Sequence, residues 1–286
     1  MSITAAQVND LRAKTGAGMM DCKKALTEAD GDFEKAIDIL RKKGAAVAAK
    51  RAEKSANEGV VLTKLGNDNR TVTIVEINCE TDFVAKSDDF VKFAQQVLDT
   101  AYSSKASTVE DLLNKNAALQ TSLTELIGKV GEKIEISRVK SIVNDGGYIV
   151  DYIHPGSKLG VVVNFDSLDA SLAGGFSPIA KDIAMQVAAM RPITTFREEM
   201  PKDIIEKEID IYKEIARKEG KPEKILENIA TGKLNKFYSE NCLFEQLYIK
   251  DNSKSVKDLI ADFNKQNSAQ VKINGFLRFH LGDEKK

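Results

Sequence analysis

Histidine, cysteine and tryptophan are scarce in this 286-residue chain, which has two histidines, three cysteines and no tryptophan. His154 and His280 alone leave little for acid–base catalysis or zinc ligation. Cys22, Cys79 and Cys242 are odd in number and far apart, which speaks against a disulfide framework or metal cluster and for a reducing compartment. Neither sign of charge dominates: 42 Lys and Arg face 43 Asp and Glu, and the net charge of -1 excludes nucleic-acid binding by bulk basic charge. No apolar run nears the roughly 18 residues of a membrane span, and the N-terminus opens into an amphipathic pattern instead of a signal or transit peptide. A cytoplasmic chain losing nothing but its first Met is expected. There is no G-x-x-x-x-G-K-[ST] loop for a nucleoside triphosphate. What remains is a chain long enough for two or three domains with real cores. The expectation is a binding protein, not an enzyme, with no cofactor and no metal of its own.

The patterning points to an α+β fold. Three short helices come first: one carrying Val8 and Leu11, one from Met19 to Ala29, and one capped by Asp32 that carries Phe33, Ala36, Ile37 and Leu40. Gly44 reads as the C-terminal cap of the third, so residues 1–44 form a small interaction module and 45–57 an Ala- and Lys-rich linker. Alternation then begins. Val60 to Leu65 and Thr71 to Cys79 make a hairpin around Gly66-Asn67-Asp68-Asn69. A helix from the capping Ser87, a helical stretch from Thr108 to Val130 broken around Asn114 to Thr121, and a strand from Lys133 to Val143 complete a β-β-α-α-β unit over 58–143.

The same order recurs over 144–281. Tyr148 to Ile153 and Leu159 to Phe165 flank the turn His154-Pro155-Gly156-Ser157; helices Ile179 to Met190 and Val256 to Phe263 and a strand from Gln270 to Leu281 follow. A duplicated core is inferred, with an antiparallel helical hairpin inserted at about 201–239 and a short tail at 282–286. One stripe of the hairpin is Ile205, Ile209, Tyr212 and Ala216, the other Leu226, Ala230, Leu234 and Phe237. With dense charge on the other faces, the hairpin should project from the body.

Most candidate chemistry dissolves on inspection. Cys22 lies beside Lys23 and Lys24 in an amphipathic helix, where a small buried hydrophobe is the simpler role than a reactive thiol. His154 is most simply a hairpin-turn residue, with partner contact as its functional alternative. Asp88-Asp89 fit the first turn of a helix better than a metal pair. One segment resists. Phe83 and Val84 fall in the short connection between the strand ending at Cys79 and the helix starting after Ser87, and two successive apolar side chains there are poorly placed to both face the core. Either Phe83 staples the helix start, or it is an exposed aromatic wedge for a partner's pocket.

Thr15-Gly16-Ala17-Gly18-Met19-Met20-Asp21-Cys22-Lys23-Lys24-Ala25-Leu26, then Thr81-Asp82-Phe83-Val84-Ala85-Lys86, then His154-Pro155-Gly156 resemble, in that order, the bacterial translation elongation factor Ts family. The resemblance runs over almost the whole chain. It implies a guanine-nucleotide exchange factor for elongation factor Tu, with a ubiquitin-associated-like N-terminal module docking on the GTPase through residues such as Met19 and Met20. The Thr81, Asp82, Phe83 and Val84 segment would dislodge the partner's magnesium, and the second subdomain, His154 included, would contact a different domain of the GTPase. No direct nucleic-acid or membrane contact is implied, and a homodimer or a heterotetramer is left open. The rival reading is a nucleotide-indifferent scaffold or chaperone-like binder; a hydrolase built on Cys22 or His154 lacks any triad. Members of the family often carry a further C-terminal helix, so any contact made by that helix is expected to be missing here, where the chain stops at Gly282-Asp283-Glu284-Lys285-Lys286.

Overall fold

A computed structural model describes residues 3–283; residues 1–2 and residues 284–286 of the expected tail lie outside the described residues. Local signals start and stop the first helices. The Thr4 hydroxyl and Gln7 form a capping box for α1 (Ala5–Thr15), and Gly16 ends it at φ 66, a left-handed conformation that suits glycine. α2 (Met19–Glu28) follows, and Asp32 accepts the Lys35 amide at 3.1 Å to start α3 (Phe33–Arg51). Val8, Leu11, Cys22, Ala25, Leu26 and Ala36 form their shared core.

α3 does not stop at Gly44. It continues to Arg51, so the boundary drawn at 44 falls inside a helix and the expected linker begins with its last two turns. Gly44 is buried because α3 lies directly on α7 (Ala117–Val130): a Cβ at Gly44 would sit 2.8 Å from the Thr124 carbonyl oxygen, and one at Gly128 would sit 2.9 Å from the Gly44 Cα. The glycine serves a close helix crossing, a role that looks the same as a helix stop when only the sequence is read.

β1 (Glu58–Leu65), β2 (Thr71–Cys79) and β3 (Ile134–Val143) form an antiparallel sheet in the order β1-β2-β3. β2 is central and buried along nearly its whole length, Thr73, Glu76 and Asn78 included. Its Val75 and Ile77 face α5 (Asp88–Ser104), α6 (Val109–Lys115) and α7, which follow the single turn α4 (Asp82–Ala85). The break between α6 and α7 is confined to Asn116, narrower than the span Asn114 to Thr121.

β4 (Gly147–Ile153), β5 (Leu159–Asp166) and, from the far end of the chain, β8 (Lys272–His280) form a second antiparallel sheet with the corresponding order β4-β5-β8. α8 (Ala173–Met190) covers its outer face together with α11 (Val256–Asn267). α8 starts six residues before the expected Ile179 and contains Pro178. α9 (Lys202–Lys218) and α10 (Glu223–Asn241) pack on each other through Ala216, Leu226 and Ala230. A small hairpin, β6 (Leu247–Tyr248) with β7 (Asp251–Ser255), had no counterpart in the sequence reading. The inner faces of the two large sheets meet through Val61, Val72, Ile74, Ile149, Val162 and Phe279, so the layers run helix, sheet, sheet, helix. At Gly160 the layers approach so closely that a Cβ would lie 2.6 Å from Val61 Cγ1. No helix among the described residues is long and apolar enough to cross a membrane.

Candidate partner-docking site

The connection after β2 is held from behind before it presents anything outward. Glu80 accepts the Lys133 amide at 2.6 Å and Arg51 Nη1 at 3.1 Å, which ties the turn to the start of β3 and the end of α3. Glu132 accepts both the Thr81 amide (3.1 Å) and the Thr81 hydroxyl (2.8 Å). The Cys79 thiol donates to the Thr81 carbonyl at 3.1 Å, and burial pushes its pKa up to about 12, so it is a structural group and not a nucleophile. Thr81 then caps α4, its Oγ1 accepting the Val84 amide at 3.4 Å, and the Ser87 hydroxyl donates to the Val84 carbonyl at 2.8 Å before capping α5.

A single turn so fixed must split its side chains between inside and outside. Ala85 is buried and Val84 is half-buried against the helix-covered core. Phe83 is 83% exposed. The stapling alternative therefore fails, because the inward packing is done by Val84 and Ala85. An aromatic ring left in water on a rigid turn gains nothing for folding, and such rings commonly anchor interfaces.

Charges of both signs surround the ring. Asp82 pairs with Lys86 at 2.7 Å, and that hydrogen bond holds the Asp82 carboxyl below its usual range and raises the Lys86 ammonium. Lys158, from the β4–β5 turn, also lowers Asp82 and pairs with Glu58 of β1 at 2.6 Å. The same turn is fastened to β1 by the Val61 amide, which donates to the Ser157 carbonyl at 2.6 Å. His154 opens that turn: its amide donates to the Leu159 carbonyl at 2.9 Å, its carbonyl accepts from Ser157, and Nδ1 lies 2.9 Å from the Tyr152 hydroxyl. Thus β1 brings the turn of the second sheet to the side of α4. Sequence reasoning missed Glu58 and Lys158 as neighbours of this turn and Glu132 as its support; pairings across 51 to 100 residues of chain leave no local periodicity.

Met19 and Met20 are exposed on the first turn of α2, at 47% and 62%. They form a second patch: no residue of α2 joins the hydrogen bonds or ion pairs of α4 among the described residues. Behind them Cys22 is fully buried, in keeping with a small core residue. Asp89 pairs with Lys129 at 2.8 Å. His280 lies on β8, and burial, the largest influence, lowers its pKa. Among the described residues no group of three or more His, Cys, Asp or Glu is arranged to hold a metal ion.

Fold and surface together describe an α+β protein with an aromatic side chain presented on a clamped turn. The family model described as elongation factor TS matches residues 80–283. Elongation factor Ts of Chlorobium phaeobacteroides (strain BS1) is 45% identical over 98% of this chain and 99% of its own length. That of Chloroherpeton thalassium is 43% identical over 99% of both, and that of Clostridium botulinum (strain Eklund 17B / Type B) 45% identical over 98% of this chain and 93% of its own. The chain belongs to the elongation factor Ts family, and its place is in translation elongation.

Proposed function

We propose that this chain is a guanine-nucleotide exchange factor for elongation factor Tu, with Phe83 as its wedge. The observation that carries the reading is Phe83 itself, 83% exposed on a turn that Glu80, Glu132 and Thr81 hold in place. Nucleotide affinity in a GTPase depends on phosphate contacts and bound Mg²⁺. A rigid apolar side chain pressed into the GTPase beside that site favours a conformation in which those contacts are poor. Asp82, kept ionised beside Lys86, enters with it, and Thr81 and Val84 fix the direction of approach. No residue of this chain changes covalently.

Exchange then follows from linkage. The factor by which this chain weakens nucleotide equals the factor by which nucleotide weakens this chain, so GTP binding expels it. In the same reading, α1–α3 are a ubiquitin-associated-like module that docks on the GTPase through Met19 and Met20. Its helix runs to Arg51, so the linker shortens to 52–57. The units 58–143 and 144–281 are duplicates, and the second, through His154, grips the GTPase at a distant point. The α9–α10 hairpin is an insertion that serves self-association or a further contact, and the setting is the cytoplasm. GDP titrated into a preformed complex with nucleotide-free elongation factor Tu tests this: displacement supports exchange, and a complex indifferent to GDP supports a scaffold instead.

A further inference from the structure

A second charged site lies away from Phe83, where the outer edges of the two sheets run side by side. β3 and β8 are edge strands, and with the C-terminal end of α8 and the residues before α6 they wall a cleft of about 780 Å³. Arg138, Lys140, Arg191 and Arg278 line it, against Asp283 as the one lining carboxylate among the described residues. Arg138 is already engaged: buried Glu76 accepts its Nε at 2.5 Å, the His280 carbonyl accepts Nη2 at 3.1 Å, and its guanidinium stacks over Phe279. Lys140 and Arg191 form no ion pair among the described residues.

Arg278 is the unusual member. Its side chain is 9% exposed, and Nη1 donates to Asp283 at 2.7 Å. Nε and Nη2 are buried without a hydrogen-bond partner among the described residues. A shielded, half-used guanidinium is costly unless something completes it. The unused pair is the side-on edge by which Arg197 in this same chain takes both oxygens of Glu245, each at 2.6 Å. That fork matches a tetrahedral or planar oxyanion.

We infer that the cleft binds a phosphate-bearing small molecule, with the under-partnered guanidinium of Arg278 and the charges of Lys140 and Arg191 holding it. Lys140, Arg191 and Arg278 against Asp283 favour an anion carrying more than one negative charge, which phosphate supplies and a lone carboxylate does not. Val139, Ile193 and Phe276 give the rest of such a molecule an apolar wall. The inference is independent of the exchange reading, since none of these residues belongs to α4 or α2.

Titration calorimetry of the full chain at low salt, with pyrophosphate as probe and acetate as the carboxylate comparison, tests it. The parent is expected to bind one pyrophosphate saturably and acetate far more weakly. Arg278→Met should weaken pyrophosphate at least about tenfold, and Arg191→Met, at an exposed helix end, at least about threefold with the circular dichroism unchanged. If Arg278→Met does not fold, Arg191→Met decides alone. No saturable pyrophosphate binding by the parent, acetate binding as tightly as pyrophosphate, or an affinity unchanged in the folded variants overturns the inference.

Discussion

Replacing Gly44 with alanine should destabilise the protein even though alanine is the better helix former. In a helix interior the change is worth about 1 kcal/mol in favour of alanine. Against it stands α7: the new Cβ would lie 2.8 Å from the Thr124 carbonyl oxygen and 3.6 Å from the Gly128 Cα. These are backbone atoms, which cannot swing aside as a lysine tip could, so α3 and α7 must part. Overpacking of this kind costs about 2–3 kcal/mol, which leaves a net loss of about 1–2 kcal/mol. Gly232 supplies the comparison, because it lies in the exposed face of α10 with nothing within 4 Å of its would-be Cβ. Gly232→Ala should therefore gain about 1 kcal/mol. Urea unfolding of the parent and both variants reads the contrast as midpoints moving in opposite directions. If Gly44→Ala moves the midpoint upward by as much as Gly232→Ala, the close α3–α7 crossing is wrong, and with it the rigid seating of the first three helices on the body.

Three further outcomes are expected. Thr81→Val keeps the shape but removes the cap on α4 and the hydroxyl bond to Glu132, and urea unfolding should show a loss of about 1–2 kcal/mol. In an NMR titration the Asp82 carboxyl should titrate below its ordinary 3.8, and Lys86→Met should move it back up. Because the folded value lies below the unfolded one, the contribution of this pair is complete above about pH 4 and fades as the pH falls through the folded value; an Asp82 that titrates normally in the parent refutes the pairing. Cys22, Cys79 and Cys242 are all fully buried, and burial raises the pKa of Cys79 and Cys242, so a thiol reagent at pH 8 should label none of them until denaturant is added. Rapid labelling of the native protein would contradict that burial.

The strands of the two large sheets and most helices were legible because their signals are local. Asp32 and Ser87 cap the helices they precede, and the Gly66–Asn69 turn sits between two alternating runs. Gly44 misled because its residue type has two physical uses: glycine ends helices and also lets helices touch. At the site, the conflict between two successive apolar residues and one short connection singled out Phe83, although sequence alone left its direction open. Its surroundings were beyond reach. Glu132 and Glu58 meet the turn only through the pairing of β1, β2 and β3, and Lys158 only after the two sheets have closed face to face, and a charge that far along the chain looks like any other solvated residue. The Arg278 cleft was hidden for the same reason, being formed by two edge strands, β3 and β8, that lie far apart in the chain.

Phe83→Ala is the most direct test of the exchange reading, because a ring 83% exposed contributes little to folding and its removal should leave stability within about 0.5 kcal/mol of the parent. Stopped-flow release of a fluorescent GDP from elongation factor Tu, driven by parent or variant at equal concentration, measures the wedge alone. A central aromatic anchor is worth about 2 kcal/mol or more, so stimulated release should slow by about 30-fold or more. Equal rates from a folded Phe83→Ala variant would contradict the wedge and leave the exposure of Phe83 without a function.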